Sequence, residues 1–219
     1  MPWPESGRVG IFYGARACAA LSRLPGLSAV QNFFPYMAGL PAGCSQPRAY
    51  DYALALLPKQ GEAARGMIAE AWLGLKAGGV FAFAADNDAG GNRLAGWMKQ
   101  AGITATILPK HHARVVFGVK DKGKEDVLLA WCRESAPQDI LIGGELFRTQ
   151  PGLFAWDHAD AGSRLLLEYL PSTLSGIGAD FGCGYGWLAR QVIRKNTAID
   201  KFYLLDADRR AVDAALCNL

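Results

Sequence analysis

Short apolar runs alternate with segments of helical periodicity through the first half of the chain, the pattern of an α/β protein. Strands are predicted over residues 9–13, 27–34, 52–57 and 80–85, with a closing pair over 103–108 and 114–119. Helices are predicted between them, over 16–24, 62–76 and 92–100. The middle helix gathers Met67, Ile68, Ala71, Trp72 and Leu75 on one face, with Gly78-Gly79 as its expected stop. The charged run 120–126 predicts a linker or solvated turn, and 131–150 has no clear period. Beyond it the alternation resumes. A helix over 163–170 is ended by Pro171, and a strand over 177–181, a helix over 187–194, a strand over 202–205 and a helix over 209–218 follow.

At 219 residues the chain is about one and a half times a typical domain of roughly 150. A hydrophobic content of 51%, a charged content of 20% and a mean hydropathy of +0.07 exclude a disordered tail and can supply a sizeable core. The net charge of +3 is too small for polyanion binding by bulk electrostatics, so any nucleic-acid contact has to be local. The five cysteines, Cys18, Cys44, Cys132, Cys183 and Cys217, form no Cys-x-x-Cys pair and adjoin no histidine cluster. That argues against a disulfide framework or structural zinc and for a reducing, cytoplasmic setting. Glu5 and Arg16 break any signal-peptide core, and Lys76 interrupts the most hydrophobic stretch, 69–85, so a soluble protein is expected.

The most informative residues are Asp180-Phe181-Gly182-Cys183-Gly184-Tyr185-Gly186, a Gly-x-Gly-x-Gly turn between a predicted strand and a predicted helix. Glycines there let the backbone turn sharply and approach a ligand with no Cβ in the way, while the following helix presents its N-terminal amides. A dinucleotide fingerprint, Gly-x-Gly-x-x-Gly, is excluded because its third glycine would fall on Trp187. An acid two residues before the first glycine and another at the end of the next strand suit a cofactor with a positive charge and a ribose diol but no pyrophosphate. S-adenosylmethionine meets that description. Asp206, 20 residues past Gly186, is the candidate acceptor for both ribose hydroxyl protons, with Asp208 as the alternative. The competing reading is a glycine-rich turn with two solvated aspartates.

These residues, with Leu204-Leu205-Asp206-Ala207-Asp208 and the run to Asn218, resemble motifs I and II of class I S-adenosylmethionine methyltransferases. Pro151-Gly152-Leu153-Phe154-Ala155-Trp156-Asp157 and Asp160-Ala161-Gly162-Ser163-Arg164-Leu165 are similar to the segment before motif I in the ribosomal RNA small subunit methyltransferase C family. That family methylates guanine N2 in 16S rRNA. The resemblance implies that Phe154, Asp160, Gly162 and Ser163 line or support the cofactor pocket; an ordinary helix cap and a packing aromatic is the plainer reading. It also implies a Rossmann-like class I methyltransferase fold in tandem. A degenerate N-terminal copy would span 1–120, a linker and lead-in 121–150, and the start of a cofactor-binding copy 151–219. In the first copy, Leu56-Leu57-Pro58-Lys59 stands where such enzymes carry Asn-Pro-Pro-aromatic, and Gly14 alone follows the first strand where three glycines are needed. The second copy's Asn-Pro-Pro motif is expected beyond Leu219, so the chain is expected to be the N-terminal portion of a longer enzyme, inactive alone, with no catalytic residue to name.

Lys59, Arg93, Lys110, His111, His112 and Arg114 are candidate contacts for ribosomal RNA or the small ribosomal subunit, since phosphates require cations or donors on one surface. Each also reads as an ordinary solvated residue. His111-His112 is not taken as a metal site, because adjacent histidines in a strand point to opposite faces and no third ligand is evident. Asp86, Asn87 and Asp88 before Gly90-Gly91 lack the later glutamate of a calcium loop, and His158 reads as a loop residue. Two other functions stay open: methylation of a protein glutamine amide, and a noncatalytic RNA- or protein-binding module.

Overall fold

The computed structural model describes residues 7–16, 20–24, 26–30, 43 and 46–219. Cys18, Cys44, residues 31–34 of the predicted second strand and residues 17–19 of the predicted first helix lie outside them. The chain divides into two compact units, the first reaching Ala136 and the second running from Pro137 to Leu219.

The first unit is built on a six-stranded sheet. Its strands are β1 (Gly10–Tyr13), β2 (Leu27–Val30), β3 (Tyr50–Leu56), β4 (Leu75–Asp86), β5 (Thr106–Lys110) and β6 (Ala113–Val119), in the order β2-β1-β3-β4-β6-β5. The first four in that order are parallel, and β6 and β5 close the sheet antiparallel. Alternation along β4 buries Phe81, Phe83 and Ala85 beneath α1 (Gly61–Gly74), α2 (Leu94–Gln100) and α3 (Glu125–Ser135). In α1 the Gln60 side chain accepts from the Ala63 amide, and Ala64, Ile68, Ala71 and Trp72 form the buried stripe.

Helix α1 stops at Gly74 rather than at Gly78-Gly79, because a distant lysine ends it. Lys120 Nζ donates to the carbonyls of Trp72 and Leu75, 2.7 Å each, satisfying groups a helix terminus leaves open. Burial holds this amine below its ordinary pKa. Lys120 is therefore no part of a solvated turn. Residues 76–79 loop out as an irregularity within β4, where the Gly78 amide donates to the Lys120 carbonyl at 3.0 Å and the Lys120 amide donates to the Gly79 carbonyl at 2.7 Å. The stretch 121–150, expected as a linker and lead-in, holds regular secondary structure. It contains α3, which buries Leu128 and Trp131 against α1, and a hairpin of β7 (Gln138–Ile142) and β8 (Glu145–Thr149). The predicted helix over 16–24 is, within the described residues, a single 3₁₀ turn at Leu21–Arg23.

The second unit contains that hairpin, α4 (Ala161–Tyr169), β9 (Ser175–Phe181), α5 (Trp187–Lys195), β10 (Ala198–Leu205) and α6 (Arg209–Asn218). Strands β9 and β10 pair in parallel, with Phe181 opposite Leu205, so both end at one edge. Ile142, Phe147, Leu153, Ala159, Tyr185, Ala211 and Ala214 form the core between the hairpin, the 151–160 loop and α6. One side of the β9–β10 pair, carrying Ile177, Phe181, Tyr203 and Leu205, is open to solvent.

Candidate functional site

Where β9 and β10 end, the three glycines of the turn adopt left-handed backbone, with φ of 87° at Gly182, 52° at Gly184 and 87° at Gly186. They do different work. A Cβ on Gly182 or Gly184 would meet nothing within 4 Å, so these two hold open space above the turn. A Cβ on Gly186 would lie 2.9 Å from Ala215 Cα and Cβ, so this glycine lets the start of α5 seat against α6. The amides of Gly182 and Cys183 both donate to the Leu205 carbonyl, at 2.8 and 3.0 Å, pinning the turn to the end of β10.

Asp206 is fixed from the same direction. Its Oδ2 accepts from the Gly184 amide at 2.9 Å and its Oδ1 from the Asp208 amide at 2.8 Å. Each carboxylate oxygen retains a second acceptor direction, the requirement for holding a vicinal diol. Asp208, the alternative, is already engaged: it is 4% exposed, caps α6 at the Arg210 amide and pairs with the Arg210 guanidinium. Asp180 adds a second carboxylate to the edge. Burial, and then the charge of Asp206, hold its pKa above the ordinary value, and its Oδ2 is sealed from solvent without a hydrogen-bond partner. Two carboxylates with an unsatisfied oxygen create a negative locus that favours a cationic ligand.

The side chains of Cys183 and Tyr185 turn inward. The Cys183 thiol is pushed up to about 11, first by burial and then by the two aspartates, so it stays protonated and unreactive. Tyr185 packs edge-on against Phe147, donates from its hydroxyl to the His158 carbonyl at 2.9 Å and is pushed up to about 12 by burial. The Cys183 thiol lies against the Gly184 carbonyl at 3.5 Å. The Tyr185 bond ties the 151–160 loop to the turn. There Asp160 caps α4, accepting from the Ser163 amide at 2.9 Å and its hydroxyl at 3.3 Å; Gly162 sits under the cap, and Phe154 is 74% exposed.

One residue of the site escapes sequence reasoning. Asn218 Oδ1 accepts from the Arg148 amide at 2.7 Å, while its Nδ2 donates to the carbonyls of Arg148 at 2.8 Å and Tyr185 at 2.7 Å. A single buried amide thus fastens β8 and the glycine turn to α6. Beyond ending the run that resembles motif II, its sequence signal is a polar residue on the apolar stripe of a helix, next to Ala214 and Ala215.

Among the described residues, the first unit offers no matching cradle. Its β1 and β3 flank the point where strand order reverses, the usual ligand crevice of such sheets. There a Cβ on Gly14 would lie 2.6 Å from the Leu56 carbonyl oxygen, and Ala15 is 1% exposed, so backbone fills the gap. Lys59 and Arg93 meet in this unit, Arg93 Nη2 donating to the Lys59 carbonyl at 3.0 Å. Lys110 borders the β5–β6 turn and Arg114 lies one residue beyond its other end, and His111 and His112 form that turn rather than part of a strand. The Asp86–Asp88 region forms 3₁₀ turns around Gly90, and His158 sits exposed beside Asp157. Among the described residues no three His, Cys, Asp or Glu side chains gather as a metal site, and no helix is long and apolar enough to cross a membrane.

The segment carrying the glycine turn is the one that known proteins resemble. Residues 145–219 match the methyltransferase small domain. Over 78 residues the chain is 36% identical to the ribosomal RNA small subunit methyltransferase C of Yersinia pestis, an alignment covering 36% of this chain and 22% of that protein. The protein of the same name from Psychromonas ingrahamii is 39% identical over 69 residues, or 32% of this chain and 20% of the relative. A solved T. thermophilus 16S rRNA N2 methyltransferase in complex with AdoMet and guanosine superposes with a TM-score of 0.75 at 18% identity. That likeness covers 99% of this chain and 62% of the other, and it establishes the class I methyltransferase fold. The chain thus spans about a fifth of the curated relatives it matches and under two thirds of the solved one.

Proposed function

We propose that this chain belongs to an S-adenosylmethionine-dependent methyltransferase acting on guanine N2 of 16S rRNA, with the second unit binding the cofactor and the first serving as a noncatalytic companion. The observation that carries the reading is the pairing of Asp206 with the Gly184 amide at the edge where β9 and β10 end, below open space kept clear by Gly182 and Gly184. The 36% identity over 78 residues and 39% over 69 to small-subunit rRNA methyltransferases support the substrate class.

The residues present fit the cofactor. Asp206 would receive the ribose hydroxyls on the acceptor directions its two amide bonds leave free. The Gly182–Gly184 backbone would lie against the methionine portion, and Asp180 would face its positive charge. When bound, S-adenosylmethionine supplies an electrophilic methyl group. This chain's residues bind and orient it; Asp160 and Ser163 hold the α4 cap that Tyr185 ties to the turn, and Phe154 lies in the loop beside that cap. Fixing donor and acceptor in line accounts for much of the rate in such a transfer.

Calorimetric titration of the full-length protein with S-adenosylmethionine tests the assignment. Asp206→Ala should weaken binding at least about tenfold, since two charge-assisted hydrogen bonds are lost. Unchanged affinity in that variant, or rRNA guanine methylation that persists when the gene is deleted, refutes the proposal.

A further inference from the structure

The hairpin that closes the first sheet turns through His111 and His112, whose φ angles are 50° and 58°. Lys110 and Ala113 pair directly, so only two residues make the turn, and both are left-handed. Such a turn matches the twist of its strands but is ordinarily built from Asn-Gly or Gly-Gly. Among the described residues a second two-residue hairpin follows that rule, with Gly143 and Gly144 at 62° and 86°. Histidine tolerates this conformation better than most side chains, yet it remains strained there. Neither imidazole is buried in return: both are exposed at the tip. The core gains nothing from them.

The surroundings indicate what they face. The Asn87 amide donates to the His112 carbonyl at 2.8 Å, drawing the loop after β4 against the turn. Arg93, in that loop, donates to the Lys59 carbonyl and lies 4.9 Å from the Trp97 ring, which fixes its guanidinium. Lys59, Arg93, Lys110 and the two histidines therefore share the edge where β3 and β4 end, with Arg114 half-buried behind the turn. Asp86 and Asp88 are exposed on that edge as well, but among the described residues none of the four cations forms an ion pair with a carboxylate.

We propose that this edge is a docking surface for single-stranded or looped RNA, the cations taking phosphates and the two imidazoles stacking on splayed bases. The inference rests on the rRNA reading above and adds to it a binding surface in the unit that lacks the cofactor cradle. In this reading the strain of two histidines at an exposed tip, where Asn-Gly would fold more easily, is offset by the contact of their rings with RNA.

The test uses the full-length protein and protein-free 16S rRNA. A variant carrying His111→Asn and His112→Gly acquires the favoured turn residues, so its Tm should rise by about 2–4 °C while its RNA affinity falls at least about fivefold. Stability and binding move in opposite directions, which a purely structural role cannot produce. A second variant, Lys59→Ala with Lys110→Ala, changes only exposed side chains. It should flatten the dependence of log affinity on log salt by about 1.4, or ~0.7 for each single-strand phosphate that is no longer neutralised. Undiminished RNA binding by the histidine variant, or an unchanged salt slope in the lysine variant, overturns the surface. So does a defect confined to assembled subunits, which would assign the edge to a protein partner. If the histidine variant does not fold, the lysine variant decides. A wild-type protein that neither binds nor methylates 16S rRNA refutes the functional reading itself, whereas wild-type binding matched by both variants refutes only this surface.

Discussion

Replacing Asn218 by alanine removes three hydrogen bonds at one stroke and strands their partners. The Tyr185 carbonyl is sealed by the core, while the Arg148 amide and carbonyl, on a hairpin strand, recover part of their hydration. Counting the sealed carbonyl near the full penalty for a buried unpaired group and the other two at a fraction of it gives a loss of about 2–3 kcal/mol. The side chain is 8% exposed, so water does not enter without moving α6. Asn218→Asp is the sharper control. It keeps the shape but replaces the donating Nδ2 with an oxygen facing two carbonyls, so at neutral pH it should cost at least as much as alanine, and acid should recover part of the loss by protonating it. Guanidinium unfolding followed by tryptophan fluorescence measures both, since Trp156 and Trp187 pack on the affected core. An alanine variant within about 0.5 kcal/mol of wild type, or an aspartate variant equal to wild type at neutral pH, refutes the clamp.

Two further outcomes separate fold from ligand. Gly184→Ala should cost only about 1–2 kcal/mol of stability for its left-handed backbone, yet abolish S-adenosylmethionine binding in a calorimetric titration by filling the open space; Gly186→Ala should unfold the second unit more readily because its Cβ would press on Ala215. Asp180→Asn should raise the Tm at neutral pH. The folded state keeps this carboxyl's pKa above its ordinary 3.8, so the stability it contributes is present at lower pH and is lost as pH rises through the folded pKa. The advantage of the asparagine should therefore shrink toward zero in a Tm series carried below about pH 4, and the same variant should bind the cationic cofactor more weakly at pH 7.

The turn between β9 and α5 was legible because glycine and aspartate at fixed offsets between a strand and a helix state a backbone requirement directly. The strand positions were legible too, since Phe81, Phe83 and Ala85 alternate as a half-buried strand should. What stayed hidden depends on partners far along the chain. The end of α1 is set by Lys120, 46 positions past Gly74, so local glycines misplaced it. Hairpin β7–β8 carried its own signal in Gly143-Gly144, yet charged and apolar residues alternate there too irregularly to show a period. Asn218 and the inward orientation of Tyr185 need the packed core before their roles appear. The adjacent histidines illustrate the same limit: alternation was assumed where the backbone instead reverses.

The division of labour among the glycines carries a consequence for how such tandem folds age. A duplicate that no longer holds a ligand is released from every constraint the ligand imposed, but not from those imposed by its own main chain. Glycines of the Gly182 and Gly184 kind can then mutate away unnoticed, whereas those of the Gly186 kind persist. Gly14, lodged against the Leu56 carbonyl, is of the Gly186 kind: its missing side chain serves the packing of the first unit's own main chain.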